Sequence, residues 1–450
     1  MSVRHRIYLA LAAGAFGQFV TIGSQILLTP LYFLYWGAAK YGEWLLISTI
    51  PAYLVMADFG IGSAAGNEMI MRAGAGDHEG AQRTFRGAIW LCSRVSIGVM
   101  LISIAASTLC LHSHILNTHY ISPNEAAILI FLFGLGVCLS FFTGTISMGF
   151  TCCGKNATGI LIGNVSRLFE ALAIAIVLWL GYSPEHVCLA GLIVRLLIGF
   201  IQAILLISVA PWLFKPKYMA DHTIVKRLIK PSLAFIAFPI GNAFALQAPL
   251  LVLGAVFGTT TVAIFSALRT LARIPIQLTN VFNASIWPEM SKAYGSGDMT
   301  LLRKLHHHSW IMTMLLVTST SIGIAFFGEV IVNVWLHKEG LYNEFILQGL
   351  LVVSGFFSIW GVSSIVLTAV NSHAKMATYY VLINSLGCFM SYIFSIYLGI
   401  QGFIYCLILV EVLMMLIVLP MALEISKDSL RNFTASVFGS FTNNFSHWKK

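Results

Sequence analysis

Between residues 7 and 424, long apolar stretches alternate with short polar breaks. Each stretch is long enough to cross about 30 Å of hydrocarbon at a helical rise of 1.5 Å per residue. The pattern predicts twelve membrane-spanning helices, near 7–35, 43–69, 84–111, 123–150, 157–180, 185–212, 231–256, 259–289, 306–332, 344–370, 377–398 and 402–424. The first follows MSVRHR and is too long for the apolar core of a signal peptide, so it reads as an uncleaved span. The expected fold class is an all-α polytopic membrane protein with two six-helix bundles. The expected division is 1–212 for the N-terminal bundle, 213–230 for a cytoplasmic linker, 231–424 for the C-terminal bundle and 425–450 for a cytoplasmic tail.

Composition and charge fix the topology. The chain is 58% hydrophobic and 10% charged, against about 25% charged for soluble domains, and its mean hydropathy is +0.86. The N-terminus, the even-numbered loops and the tail carry nineteen of the 26 Lys and Arg residues, whereas the odd-numbered loops carry only Lys40 and Lys338. That asymmetry places both termini in the cytoplasm, and it accounts for the pI of 9.1 without any role for nucleic acid. The eight cysteines lie mostly in apolar runs, with no C-x-x-C pair, and are expected to be reduced packing residues.

A shift of 221 residues brings the two halves into register. EMIMRAGAGDHEGAQR from Glu68 falls on EMSKAYGSGDMTLLRK from Glu289, aligning Met69 with Met290, Gly76 with Gly297 and Asp77 with Asp298, while Gly37 meets Gly258. A parallel repeat of six spans places a substrate site between two bundles that rock for alternating access. Pro51, Pro239, Pro249 and Pro275 mark kinks in the second, seventh and eighth spans.

Five basic residues remain inside the spans: Arg94, Arg167, Arg195, Arg269 and Arg273. A central arginine costs about 2.5–3.5 kcal/mol on insertion scales, so five sum to roughly 12–17 kcal/mol before compensation. Acids at similar depth are Asp58, Glu170 and Glu411. Arg167 and Glu170, spaced i, i+3, are expected to form an ion pair. Asp58 and Glu411 are within the set of acids that Arg94 and Arg195 could meet across helices, and the sequence leaves that pairing open. Arg269 and Arg273, in SALRTLARIP, have no acid in their own span before Glu289, and their counterparts 221 residues earlier are Ser48 and Ala52. Two readings stand for them, a hydrated cavity that receives an anion or structural pairing. Arginine forks suit phosphate oxygens.

The stretch PLYFLYWGAAKYGEWLLISTIPAYLVMADFGIG, Pro30 to Gly62, resembles the opening of Wzx-type polysaccharide and O-antigen flippases. The elements that carry the resemblance are the proline near the end of the first span, Gly37, Tyr41-Gly42, Trp44 and Asp58-Phe-Gly. That family belongs to the superfamily of multidrug, oligosaccharidyl-lipid and polysaccharide exporters. The resemblance implies a non-enzymatic flippase of the bacterial inner membrane that moves a polyprenyl-pyrophosphate oligosaccharide from the inner to the outer leaflet. It implies a cationic cavity, for which Arg269, Arg273, Arg94, Arg195 and Arg167 are the substrate-binding candidates. It also implies ion-coupled antiport with H+ or Na+, for which Asp58, Glu411 and Glu170 are the candidates. No cofactor or metal is expected, and the implied partners are a polysaccharide polymerase and a chain-length regulator. The alternative is a multidrug or metabolite antiporter of the same fold, although cationic drugs would want surplus acid and the surplus here is basic. A membrane-embedded glycan polymerase or ligase would be expected to show a larger outer loop.

Other motifs fail on context. Asp58-Phe-Gly lacks the companion kinase motifs, and GAGDHEG follows no strand. His306, His307 and His308 point about 100° apart on a helix and mark the inner interface rather than one metal site. In the tail, Leu430, Phe433, Val437, Phe441, Phe445 and Trp448 repeat at three or four residues, the pattern of a helix lying on the inner leaflet, while Gly439 and two asparagines suit a disordered tail equally well.

Overall fold

A computed structural model describes residues 3–54, 61–113, 118–214, 237–370 and 372–437. Among the described residues all regular structure is helical: α1 (Val3–Ile47), α2 (Thr49–Leu54), α3 (Ile61–Gly74), α4 (His78–Ser113), α5 (Pro123–Cys152), α6 (Asn156–Trp179), α7 (Pro184–Val209), α8 (Pro211–Phe214), α9 (Ala237–Leu246), α10 (Ala248–Phe257), α11 (Thr259–Ala272), α12 (Ile274–Gly295), α13 (Met299–Leu336), α14 (Glu344–Ala369) and α15 (Ala374–Ile425). Nine stretches among the described residues are long and apolar enough to cross a membrane, and the chain is a multi-pass membrane protein.

Two helices are too long for one crossing. With 45 and 52 residues, α1 and α15 measure about 68 and 78 Å, against roughly 45 Å for a whole bilayer. Each holds one glycine outside helical geometry, Gly37 (φ 73°) and Gly399 (φ 63°), where two helices meet. Counting each as two helices, and the broken second and eighth stretches as one crossing each, is consistent with twelve spans. The breaks follow proline chemistry. The helix is interrupted at Ser48, Gln247 and Arg273, and Pro51, Pro249 and Pro275 then sit in the first turn of the next segment, where a missing N–H costs little.

The repeat recurs in the backbone. In the first half Asp77 N–H donates to Arg72 O (2.9 Å), Gly76 N–H to Ala73 O (3.1 Å) and Ala81 N–H to Asp77 O (3.0 Å). In the second, Asp298 donates to Ala293 O (2.9 Å), Gly297 to Tyr294 O (3.0 Å) and Leu302 to Asp298 O (3.1 Å). Every pair is offset by 221. The turn needs a left-handed residue, supplied by Gly76 (φ 80°) and Gly297 (φ 76°). Asp77 accepts from Gly80 N–H (2.7 Å) and from Arg72 Nη1 (3.0 Å). Those two bonds hold its carboxyl below the ordinary carboxylate range, the Gly80 bond most strongly. Met69 and Met290, also aligned, are both fully buried.

The chain groups into two compact units. Unit 1 comprises Met1–Ala243 and Phe257–Ala263, and unit 2 comprises Phe244–Val256 and Ile264–Lys450. In unit 1 the 257–263 turn runs so close to Gly42 that a Cβ there would fall on the Thr259 carbonyl. A mid-bundle core of unit 1 joins α4 to α5 through Cys92, Val99, Val137, Cys138 and Phe141. In unit 2, Met290, Ala293, Leu302, Val366 and Ala422 pack together. All eight cysteines are free. Of the expected 213–230 linker, residues 215–230 lie outside the described residues, as do Asp58 and tail residues 438–450.

The tail helix over 430–437 packs on protein. Phe433 (2% exposed) and Val437 (0%) join Trp310, Val362 and Leu423 in one cluster, so in this part of the tail the apolar face expected on the leaflet is spent on unit 2. Leu430 alone of these points outward.

An unforeseen clamp joins α1 to the turn before α5 in unit 1. The Glu43 carboxylate, 1% exposed, accepts the N–H groups of His119 (2.7 Å), Tyr120 (3.0 and 3.1 Å) and Ile121 (2.7 Å). It therefore ties the second span to the turn before α5. Truncation removes the acceptor of three backbone donors, of which Ile121 N–H is buried, so Glu43→Ala is expected to lower stability by roughly 2 kcal/mol. Thermal unfolding of the purified protein measures this, with a smaller loss expected for Glu43→Gln.

Candidate functional site

In unit 2 the charges gather at the helix breaks. Because the helix is interrupted at Gln247, Leu250 N–H bonds to Gln247 O (3.1 Å), and the carbonyl of Leu246 at the end of α9 loses its helical donor. Arg269 Nη1 takes that carbonyl at 2.7 Å. Its guanidinium also lies over the Phe265 ring, 5.4 Å from the centroid, one turn back on α11. Arg273 occupies the break between α11 and α12, with its N–H on Arg269 O and its carbonyl on Gln277 N–H, both at 3.0 Å.

Glu411, from the second half of α15, is 9% exposed. It accepts Trp360 Nε1–H at 2.6 Å. Trp360 lies edge-on to Phe357 (5.0 Å) and tilted against Tyr380 (5.7 Å). Arg273 and Tyr380 are within electrostatic range of Glu411. Arg273, Trp360, Tyr380 and Glu411 thus converge from four segments far apart in sequence. Neither Trp360 nor Tyr380 carried a sequence signal, since an aromatic residue in an apolar run reads as packing.

In unit 1 the expected pairing changes partner. Glu170 is held by Arg195, through Nε–Oε1 at 3.1 Å and Nη2–Oε2 at 2.8 Å, and also accepts Ser166 Oγ–H at 3.0 Å. The expected Arg167–Glu170 pair is not formed. A guanidinium arriving across from α7 meets both carboxylate oxygens in a fork, while the Arg167 side chain on α6 itself stays exposed. The Arg195–Glu170 pair is a shared wall of two cavities. One, about 290 Å³, is mainly apolar and reaches Trp44 and Phe133. The other, about 250 Å³, carries Arg167, Ser140, Thr143 and Gln202.

Arg94 is exposed, with its guanidinium 5.1 Å from the Trp90 ring centroid. Among the described residues neither Arg94 nor Arg167 has an acid within ion-pair distance. The sequence left Asp58 and Glu411 open as partners of Arg195; the structure gives it Glu170 and places Glu411 within electrostatic range of Arg273. Of the three histidines, His306 is buried against Ser363 Oγ (3.2 Å), His307 bridges Asp428 (2.6 Å) and Ser436 (2.9 Å), and His308 bonds within its own helix. The described residues hold no group of three or more His, Cys, Asp or Glu suited to a metal.

The model of a family described as polysaccharide biosynthesis protein matches residues 100–339. No curated protein matches the chain by sequence. Among solved structures, an inward-facing multidrug resistance MATE family transporter of the MOP superfamily is similar over 92% of this chain and 96% of its own, with a TM-score of 0.70 and 14% identity. An outward-facing form is similar over 94% and 96%, with a TM-score of 0.67 and 14% identity. A MOP superfamily transporter from Pyrococcus furiosus Vc1, described by a reversed polarity of its binding pocket that suggests a different function, is similar over 96% of both chains, with a TM-score of 0.63 and 13% identity. At these identities the likeness is one of fold.

Removing one member of the Arg195–Glu170 pair leaves the other partly buried and uncompensated. Arg195→Ala is therefore expected to cost about 2 kcal/mol, a value reduced for the exposure of the arginine. The double variant Arg195→Met/Glu170→Leu should recover most of that loss in thermal unfolding.

Proposed function

The chain belongs to the family described as polysaccharide biosynthesis protein, and from that membership we propose that it carries a polyprenyl-pyrophosphate-linked oligosaccharide across the membrane by alternating access. The prenyl tail can remain in lipid, whereas a pyrophosphate and its sugars cannot cross hydrocarbon unaided. The cargo is a surface polysaccharide repeat unit of the O-antigen class, moved from the inner to the outer leaflet of a bacterial inner membrane.

One observation carries this reading. The broken seventh and eighth spans place Arg269 and Arg273 four residues apart at membrane depth, Arg269 on the Leu246 carbonyl and Arg273 in the break between α11 and α12. Two guanidinium forks so placed suit the oxygens of an anion. Arg269 and Arg273 are the pyrophosphate ligands, and the aromatic residues Trp360 and Tyr380 near Glu411 offer faces on which a sugar can stack. Arg195, engaged by Glu170, is assigned a supporting part. Glu411 takes up the coupling ion, H+ or Na+, and a polymerase with its chain-length regulator receives the delivered unit.

The resemblance to MATE transporters supports a rocking mechanism and says nothing of cargo. Export of a cationic drug is disfavoured by the sign of the charge. Differential thermal stabilisation separates the two. A polyprenyl-pyrophosphate oligosaccharide should raise the melting temperature of the wild type by several degrees, and a lipophilic cation should not. The shift should disappear in Arg269→Ala/Arg273→Ala, compared at equal fold content. Stabilisation by the cation alone would assign the chain to drug or metabolite antiport.

A further inference from the structure

The interface between α13 and α14, inside unit 2, contains buried polar groups that find no partner among the described residues. They are His306 Nδ1, Trp310 Nε1, Thr313 Oγ1 and Ser358 Oγ. Their residues are 0%, 8%, 1% and 2% exposed. Positions 306, 310 and 313 follow one another at spacings of four and three, which puts them on one face of α13. The register across to α14 is set by two contacts, His306 Nε2 on Ser363 Oγ at 3.2 Å and the Val317 side chain against Gly355. As one residue number rises the other falls, so the helices run antiparallel and Thr313 lies level with Ser358. The two hydroxyls share a level without bonding to each other.

A dry seam would be built differently. A membrane helix usually satisfies a hydroxyl on its own backbone, as Ser309 does on the Leu305 carbonyl at 2.7 Å. Thr313, one turn on, does not. Groups of this kind, close together and cut off from bulk solvent, are where proteins hold ordered water, each molecule making about three hydrogen bonds. From 306 to 313 the seam spans about 10 Å, the length of a file of roughly three waters at hydrogen-bond spacing.

The inner end of the seam is covered by one side chain. The Phe433 ring lies 5.2 Å from His306, 5.2 Å from His307 and 5.5 Å from Trp310, centroid to centroid. The 430–437 helix that carries it is fastened by His307, whose two ring nitrogens reach Asp428 Oδ2 (2.6 Å) and Ser436 Oγ (2.9 Å). We propose that the α13–α14 seam is a water-binding site, a file of ordered waters bridging His306, Trp310, Thr313 and Ser358, and that Phe433 is its plug on the inner side. The site does not depend on what the protein carries.

Hydroxyl-radical footprinting of the full-length protein in nanodiscs tests this, because bound water turns into radical beside the groups that hold it. Trp310 is read against Trp360, equally buried at 6% exposed but with its N–H already bonded to Glu411. Trp310 should oxidise roughly fivefold faster than Trp360, and Thr313→Val/Ser358→Ala should cut that rate about threefold while Trp360 is unchanged. In Phe433→Ala, with Trp360 again unchanged, the Trp310 rate should rise about twofold or more as water exchanges from the inner end. A Trp310 rate no greater than that of Trp360 would overturn the water file. So would a fast rate that survives Thr313→Val/Ser358→Ala, and no rise in Phe433→Ala would remove the plug.

Discussion

A backbone carbonyl released inside hydrocarbon must find a donor, and this demand organises the second half of the protein. Lipid offers none, so a broken span is stable only where protein or enclosed water completes it. The seventh span is interrupted before Pro249, and the carbonyl left at Leu246 is taken by Arg269 of the eighth span. The eighth is itself interrupted at Arg273, before Pro275. Charge and break therefore occur together. The arginine needs polar company at membrane depth, and the break supplies it. A guanidinium has five N–H donors in a fixed fork, so a group that closes a helix break also presents the geometry that suits a phosphate. The structural and the anion-binding readings of Arg269 are compatible in one side chain.

The two halves share a scaffold and differ in chemistry. The Gly-x-Gly-Asp turns share backbone hydrogen bonds at a constant offset of 221 residues, because a tight turn between long helices admits few solutions. The charges are not repeated. Arg269 and Arg273 correspond to Ser48 and Ala52, Glu170 and Arg195 to Ser391 and Leu416, and Glu411 to Ala190. Unit 1 neutralises its arginine within a fork, Arg195 on Glu170. Unit 2 sets Arg269 on the carbonyl of a broken helix and Arg273 within electrostatic range of Glu411, which already accepts from Trp360. A duplicated bundle has thus been given two different charged interiors.

Much of this was legible in the residues. Period and length revealed the spans, since a membrane helix needs an uninterrupted apolar run. The prolines revealed the breaks, since a missing N–H is a local fact. The repeat was visible in its glycines. What escaped were relations between helices. Arg167 and Glu170 lie three apart and look like partners, but Arg195 reaches the carboxylate from the next helix with better geometry. Glu43 carries no sequence signal, and only the folded turn over 119–121 discloses why a carboxylate is buried there. Phe433 and Val437 had the periodicity of a leaflet-bound helix, and that periodicity serves equally well for packing on α13 and α14.

The most direct measurement is leaflet-to-leaflet movement of a fluorescent polyprenyl-pyrophosphate oligosaccharide in proteoliposomes, followed by quenching from the outer side. Wild type and Arg269→Lys/Arg273→Lys are compared with Arg269→Ala/Arg273→Ala at equal reconstitution. The account predicts rapid movement in wild type, partial movement with the lysines, which keep charge without the fork, and background movement with the alanines. Full activity in the alanine variant would contradict it and leave the two arginines as closures of broken helices.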